Sequence, residues 1–191
     1  MKIAIVTDQY LPQLGGVADS IVSLVRGLQE HGHTVSIFAP NLRNAVPEPH
    51  VTRLPTFSTH SGVFNFVAPF GLTHKLRDFK PDVIHYHSIG IAAFAGMRAA
   101  KRLNIALVGT DHGSPADYLH YFHLDNKLIR SIVLKLHSWF FNHCDVVTAP
   151  ARFRLDELRT YGTTKPHMEM ISNSVAPDSF YQIEGKAVLK D

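Results

Sequence analysis

The chain has 191 residues, 45% of them hydrophobic and 18% charged, with a formal net charge of +3. That balance suits one globular domain with a sizeable core; it is too weakly basic to indicate nucleic acid, but is compatible with an anionic ligand or membrane surface. The single cysteine, Cys144, excludes an internal disulfide, and no apolar stretch reaches the length of a membrane span.

Taken in order, the chain enters a buried-strand run at once, Ile3–Thr7, without the charged region, apolar run and cleavage site of a secretory signal. With one small, core-type cysteine, a reducing cytoplasmic setting is expected. A loop Asp8–Gly16 ends in Gly15-Gly16, and a helical pattern follows from Val17 to His31, with Ile21, Leu24, Val25 and Leu28 at helical spacing. Two glycines let backbone approach a ligand closely. The unpaired N–H groups of a first helical turn favour an anion such as a phosphate. Thr34–Ala39 and Val51–Leu54 are strand-like. The stretch 45–70 is irregular, with Pro47, Pro49, Pro55 and Pro69, and carries an apolar run from Gly62 to Val67 before a helix bearing Lys75 and Arg77. It reads as a loop packed on the core, or else as an exposed apolar loop suited to a lipid or acceptor. Val83–His87, Ala106–Thr110, Val146–Ala149 and Met168–Ile171 are further strands. Between them lie helical patterns over Ile91–Leu103, over Lys127–Asn142 with an apolar face of Leu128, Ile132, Leu136 and Phe140, and over Pro150–Tyr161, which Gly162 ends.

Alternating helices and uniformly apolar strands predict an α/β, Rossmann-like, doubly wound and mostly parallel sheet with helices on both faces. Ligands of such sheets bind at the carboxyl ends of the strands. Asp8–Gly16, His85–Ser88, Thr110–Ser114 and Ala149-Pro150 should therefore converge on one rim. A dinucleotide fold is disfavoured. There is no third glycine in the loop, and the second strand ends in Ala39-Pro40-Asn41 without an acidic residue. No Gly-Lys-Ser/Thr marks a P-loop.

The ordered blocks do match a known pattern. They are Asp8-x-Tyr10-x-Pro12-x-x-Gly15-Gly16-Val17, Leu24-Val25-x-x-Leu28-x-x-His31-Gly32-His33-x-Val35, Pro81-Asp82-Val83-Ile84-His85-x-His87, Thr110-Asp111-His112-Gly113, Cys144–Pro150 and Ile171–Val175. Each is weak alone, but their order and spacing are specific. The chain resembles, over residues 1 to 180, the N-terminal domain of family 4 retaining glycosyltransferases of the GT-B fold. The resemblance implies two Rossmann-like domains. The N-terminal one, residues 1–180, holds mainly the acceptor, followed here by a linker or tail, 181–191. The other, which binds the nucleotide-diphosphate sugar, is absent from this chain.

The resemblance places Gly15 and Gly16 at the donor diphosphate and His112 beside the transferred sugar, as the catalytic candidate. Asp117-Tyr118-Leu119-His120-Tyr121 looks like the branch that glycosylates diacylglycerol. It makes Tyr10, Asp111, Tyr118, His120, Tyr121 and Arg130 acceptor-side candidates, with an acceptor sugar or lipid and peripheral contact at the inner face of a membrane expected. Nearby Lys127 and Lys135 suit an anionic headgroup or plain solvent.

Two absences sharpen this. The paired glutamates of the family's other domain are missing, and the Asn-Gly-Val-Asp connection reads Asn173-Ser174-Val175-Ala176, which leaves those residues without an assigned role. No Asp-x-Asp occurs either. A metal-independent reaction with no cofactor is expected, although His85 and His87 share a strand face as metal ligands often do. Two other readings are a GT-B-type sugar-nucleotide epimerase half, for which acidic residues at the cleft would be expected, and a non-catalytic sugar- or nucleotide-binding or regulatory domain.

Overall fold

A computed structural model of the chain describes residues 1–58, 65–68, 70–87, 90–165 and 167–173. Its elements run β1 (Lys2–Thr7), α1 (Gly16–Glu30), β2 (Thr34–Pro40), β3 (Val51–Leu54), β4 (Thr56–Ser58), β5 (Asn65–Val67), α2 (Leu72–Phe79), β6 (Val83–His87), α3 (Ile91–Leu103), β7 (Ala106–Thr110), a 3₁₀ helix (Pro115–Phe122), α4 (Lys127–Phe141), β8 (Val146–Ala149), α5 (Arg152–Thr160) and β9 (Met168–Met170). Seven strands form one sheet in the order β3-β2-β1-β6-β7-β8-β9, every neighbouring pair parallel. The chain runs outward from β1 to β3 and then returns to β6 on the other side. This leaves the carboxyl ends of β1 and β6 at the switch point, where the outgoing loops diverge.

The side-chain period of two sorts the strands between two cores. On one face Ile3, Ile5, Val35 and Ile37 pack under Ile21 and Val25 of α1. On the other, Ala4, Val6, Ile84, Leu107 and Val147 meet Leu72 and Leu76 of α2, the alanines of α3, Phe140 and Phe141 of α4 and Leu158 of α5. Coverage is therefore unequal. Among the described residues α1 alone packs its apolar stripe on the first face, and a cleft of about 500 Å³ opens between it and His85, His87, Thr110 and Thr148.

Gly109 explains how closely the second face is packed. A Cβ there would lie 2.8 Å from Cys144 Sγ and 3.0 Å from the Phe141 ring. Cys144 is the buried core residue expected, its thiol pushed up to about 12 by burial.

The strands and long helices lie where the sequence predicts them. Two expectations are corrected. The stretch 45–70 is not simply a loop, because Thr56–Ser58 and Asn65–Val67 pair as an antiparallel hairpin. The apolar run from Gly62 to Phe64 lies outside the described residues, as do Ser88, Ser174 to Ala176 and the tail 181–191. The apolar face expected of α4 is not its buried face. Phe140 is buried, but Leu128, Ile132 and Leu136 point outward, because α4 meets the sheet only through its last turns, at His137, Ser138, Phe140 and Phe141.

Candidate functional site

The loop after β1 is anchored from below and open above. Thr7 closes its start, donating through Oγ1 to Gln9 O (2.9 Å) and accepting from Gln9 N (3.0 Å). Tyr10 is only 2% exposed and packs in the α1 core, with the Arg53 guanidinium 5.4 Å from its ring centre. Burial, aided by Glu48, pushes its phenol up to about 12. The acceptor contact expected of Tyr10 is thus corrected: its side chain is a core anchor. Arg53 also donates to Leu11 O at 2.8 Å and pairs with Glu48 at 2.9 Å, which fixes the loop from β3.

Above these anchors Gly15 and Gly16 are exposed, and no side chain caps the first turn of α1. A Cβ at either glycine would meet nothing within 4 Å, and the Gly15 backbone is extended, at φ 161°. Nothing within the described fold demands glycine here. The open approach and the uncapped N–H groups are what a bound anion requires.

Asp8, quoted above only as part of a motif, is buried and joins three elements. Oδ1 accepts from Val67 N (3.2 Å) and Ala92 N (3.4 Å), and Oδ2 from the Tyr86 hydroxyl (2.5 Å). Burial raises its pKa, and these hydrogen bonds oppose the rise.

The carboxyl ends of β6, β7 and β8 carry a chain of polar contacts. His85 Nε2 lies 2.7 Å from Thr110 Oγ1, which lies 2.6 Å from Thr148 Oγ1. His87 Nδ1 lies 2.9 Å from Nε2 of the half-buried His112. Burial lowers the pKa of all three imidazoles. His85 falls to about 4 through burial and then the nearby His112, and the neighbouring rings add to burial at His87. The Asp111 carboxylate partly opposes the shift of His112. The rings are therefore neutral near pH 7, and the pair shares one hydrogen between facing nitrogens. His87 Nε2 is buried with no partner. A bare acceptor there costs less than an orphaned N–H. The cheaper arrangement places the shared hydrogen on His87 Nδ1, makes His112 Nε2 the acceptor, and leaves His112 Nδ1–H as the donor for a ligand.

Asp111 is 1% exposed and faces inward. Oδ2 accepts from Arg154 Nη2 at 2.8 Å, and Oδ1 lies 3.3 Å from His137 Nε2. Burial alone would raise its carboxyl; His137 and the Arg154 guanidinium outweigh that and hold it below the usual carboxylate range. Arg154 also pairs with Glu157. The acceptor role expected of Asp111 is corrected: it pins the turn that presents His112, and its amide donates to Thr148 O at 2.8 Å. Arg130 is likewise committed, donating to Ala116 O (3.2 Å) and pairing with Asp117 (3.1 Å), so that it ties α4 to the 3₁₀ helix. Tyr118, His120 and Tyr121 do lie together on the exposed side of that 3₁₀ helix, the His120 and Tyr121 rings 4.0 Å apart.

Arg53, Arg154 and His137 went unassigned from sequence. The available signal was a charged residue at an inward register: Arg154 stands one helical turn before the buried Leu158 and requires a buried partner.

Comparisons with known proteins bear on the family and the fold. The family described as Glycosyltransferase Family 4 matches residues 14–179. The chain is 28% identical over 176 residues to a GDP-mannose-dependent alpha-mannosyltransferase of Corynebacterium glutamicum, covering 85% of this chain and 41% of that protein. It is 29% identical over 166 residues to an alpha-monoglucosyldiacylglycerol synthase of Streptococcus pneumoniae, covering 84% and 38%. The chain thus spans about 40% of the length of these curated relatives. Among solved structures, Anabaena HepE in complex with UDP-glucose superposes with a TM-score of 0.64 at 14% identity, over 92% of this chain and 44% of that one. At that identity the likeness shows the fold alone.

Proposed function

The chain belongs to Glycosyltransferase Family 4, and from that premise we propose that it is the acceptor-side half of an enzyme that transfers a sugar from a nucleotide-diphosphate donor to an acceptor hydroxyl with retention of configuration. One observation carries the reading. An uncapped, unobstructed Gly15-Gly16 helix start and the half-buried His112 stand at the carboxyl ends of β1 and β7, strands separated only by β6 and hence about 10 Å apart.

In this reading the α1 amides take the donor diphosphate, and His112 Nδ1–H donates to a sugar hydroxyl or to charge developing on the leaving group. The acceptor attacks from the face the diphosphate leaves, and the departing phosphate takes the hydroxyl proton. The C–O bond to the acceptor forms as the C–O bond to phosphate breaks, and no side chain serves as a covalent nucleophile. We propose that no metal takes part. The imidazoles of His87 and His112 are hydrogen-bonded to each other, and helix and cationic charges do the electrostatic work.

The donor-binding half lies outside these residues in this reading. Tyr118, His120 and Tyr121 face the acceptor. The likeness to a monoglucosyldiacylglycerol synthase supports a lipid acceptor, and with such an acceptor the proposed enzyme is cytoplasmic and works peripherally at the inner face of a membrane. Among the described residues no helix is long and apolar enough to cross a bilayer. The test is a screen of nucleotide sugars with the protein that includes its second half, with and without diacylglycerol vesicles. The expected result is transfer from one donor with the anomeric configuration kept, read by NMR. Inversion, or no transfer from any donor, contradicts the proposal.

A further inference from the structure

Helix α4 presents an apolar stripe to solvent. Leu128, Ile132, Leu136 and Trp139 are 71%, 55%, 47% and 44% exposed. At about 100° per residue they fall within a sector roughly 80° wide, one face of the helix. Exposed Leu124 extends the patch beyond the helix N-terminus. Contiguous exposure of this kind marks a contact surface, where scattered apolar residues would need no explanation.

The charges around the stripe say what it meets. From Lys127 to Asn142 the chain has no Asp or Glu. Arg130 is committed to Asp117, but Lys127 and Lys135 are exposed and make no ion pair among the described residues. Lys135 flanks the stripe and Lys127 stands at its N-terminal end, so their stems can lie along apolar surface while the ammonium groups reach headgroup phosphates. Trp139, at the other end, is the residue type that settles at a lipid–water boundary. A second copy of this chain suits the stripe poorly. An isologous contact would bring together two helices that carry only positive charge, and the one exposed Asp125 just before each leaves cations in excess.

We propose that the outer face of α4 seats the protein on an anionic phospholipid bilayer, the helix lying in the interfacial plane. This rests on the lipid-acceptor reading above and names the surface that reading lacks. The 3₁₀ helix, which carries Tyr118, His120 and Tyr121, is tied to α4 through Arg130 and is brought to the membrane with it.

Trp139 is the only tryptophan of the chain and reports directly on the stripe. Its emission is followed while the protein is titrated with phosphatidylcholine vesicles, with and without phosphatidylglycerol. The expected result is a blue shift and quenching by bromine-labelled acyl chains, strong with phosphatidylglycerol and weakened by salt. Ile132→Ser with Leu136→Ser should lower the vesicle partition at least about tenfold, since it removes the inserted apolar surface. Lys127→Glu with Lys135→Glu should cost at least about tenfold on the anionic vesicles alone. Circular dichroism melting of each variant confirms that the fold is kept, as expected for exposed positions. The proposal is overturned if Trp139 does not respond to anionic vesicles, or if the Ile132/Leu136 variant partitions like the parent. It is also overturned if the shift occurs without lipid, in step with a concentration-dependent dimer. No sugar donor is present, so failure here leaves the transfer reaction to be judged by its own assay.

Discussion

His112 can face a ligand through one nitrogen, and which one is decided by His87. With His87 Nε2 buried and unpartnered, the shared hydrogen belongs on His87 Nδ1 and the free donor on His112 Nδ1. Long-range ¹H–¹⁵N spectra of the imidazoles should show His112 as the Nδ1–H tautomer, changing toward Nε2–H in His87→Phe. An Nε2–H tautomer in the parent contradicts the assignment. The same histidines set a pH dependence. His85 is neutral in the fold down to about pH 4 but protonates from 6.5 in the unfolded chain. Between those values the unfolded state binds more protons, so stability is full above pH 6.5 and declines as the pH falls toward 4. His85→Gln should reduce the stability lost across this range by about 3 kcal/mol in urea melts. Asp111 acts lower on the scale. Its carboxyl is held below the ordinary 3.8, so its contribution is present above that value and lost as the pH falls through the lower, folded one. Asp111→Asn leaves the buried Arg154 without its full partner. It should cost about 3 kcal/mol at neutral pH and make the acid limb shallower.

At the scale of elements, close packing is enforced by glycines that do no chemistry. A Cβ at Gly90 would stand 2.3 Å from Asp8 Oδ2, the carboxylate that joins β1, β5, β6 and the start of α3. Gly90→Ala should destabilise the fold by about 2 kcal/mol in denaturant unfolding, and retained stability would show that Asp8 has room to move. The strands were legible because each is an apolar run bounded by turn residues, and the helices because their periodicity is long. The outward face of α4 was not legible. The spacing of Leu128, Ile132 and Leu136 is the same whether the stripe meets a sheet or water, and only tertiary contact at His137 and Phe141 decides it. The anchoring roles of Tyr10 and Asp111 were hidden for a different reason. The arginine that holds the Tyr10 loop donates across 42 residues, and Asp111 meets its arginine across 43. A local motif reads such a residue as exposed at a rim, whereas a distant partner draws it inside.

At the scale of the whole molecule, the rim reads as half of a cleft. In the proposed reading the Gly15-Gly16 turn, His112 and the 3₁₀ helix supply one wall; the chain spans 41% and 38% of two relatives it matches. In the proposed reading the isolated residues 1–191 fold but transfer no sugar, and robust turnover by them would contradict the need for a second half. In that reading the Gly-Gly turn is open for a donor diphosphate and for no other reason. Gly16→Val, in the protein with its donor-binding half, tests it most directly, because the added side chain meets nothing within 4 Å at its Cβ in the fold itself. Donor kcat/KM should fall at least about tenfold, roughly 1.4 kcal/mol, while the melting temperature stays within about 2 °C of the parent. Unchanged donor kinetics would contradict it.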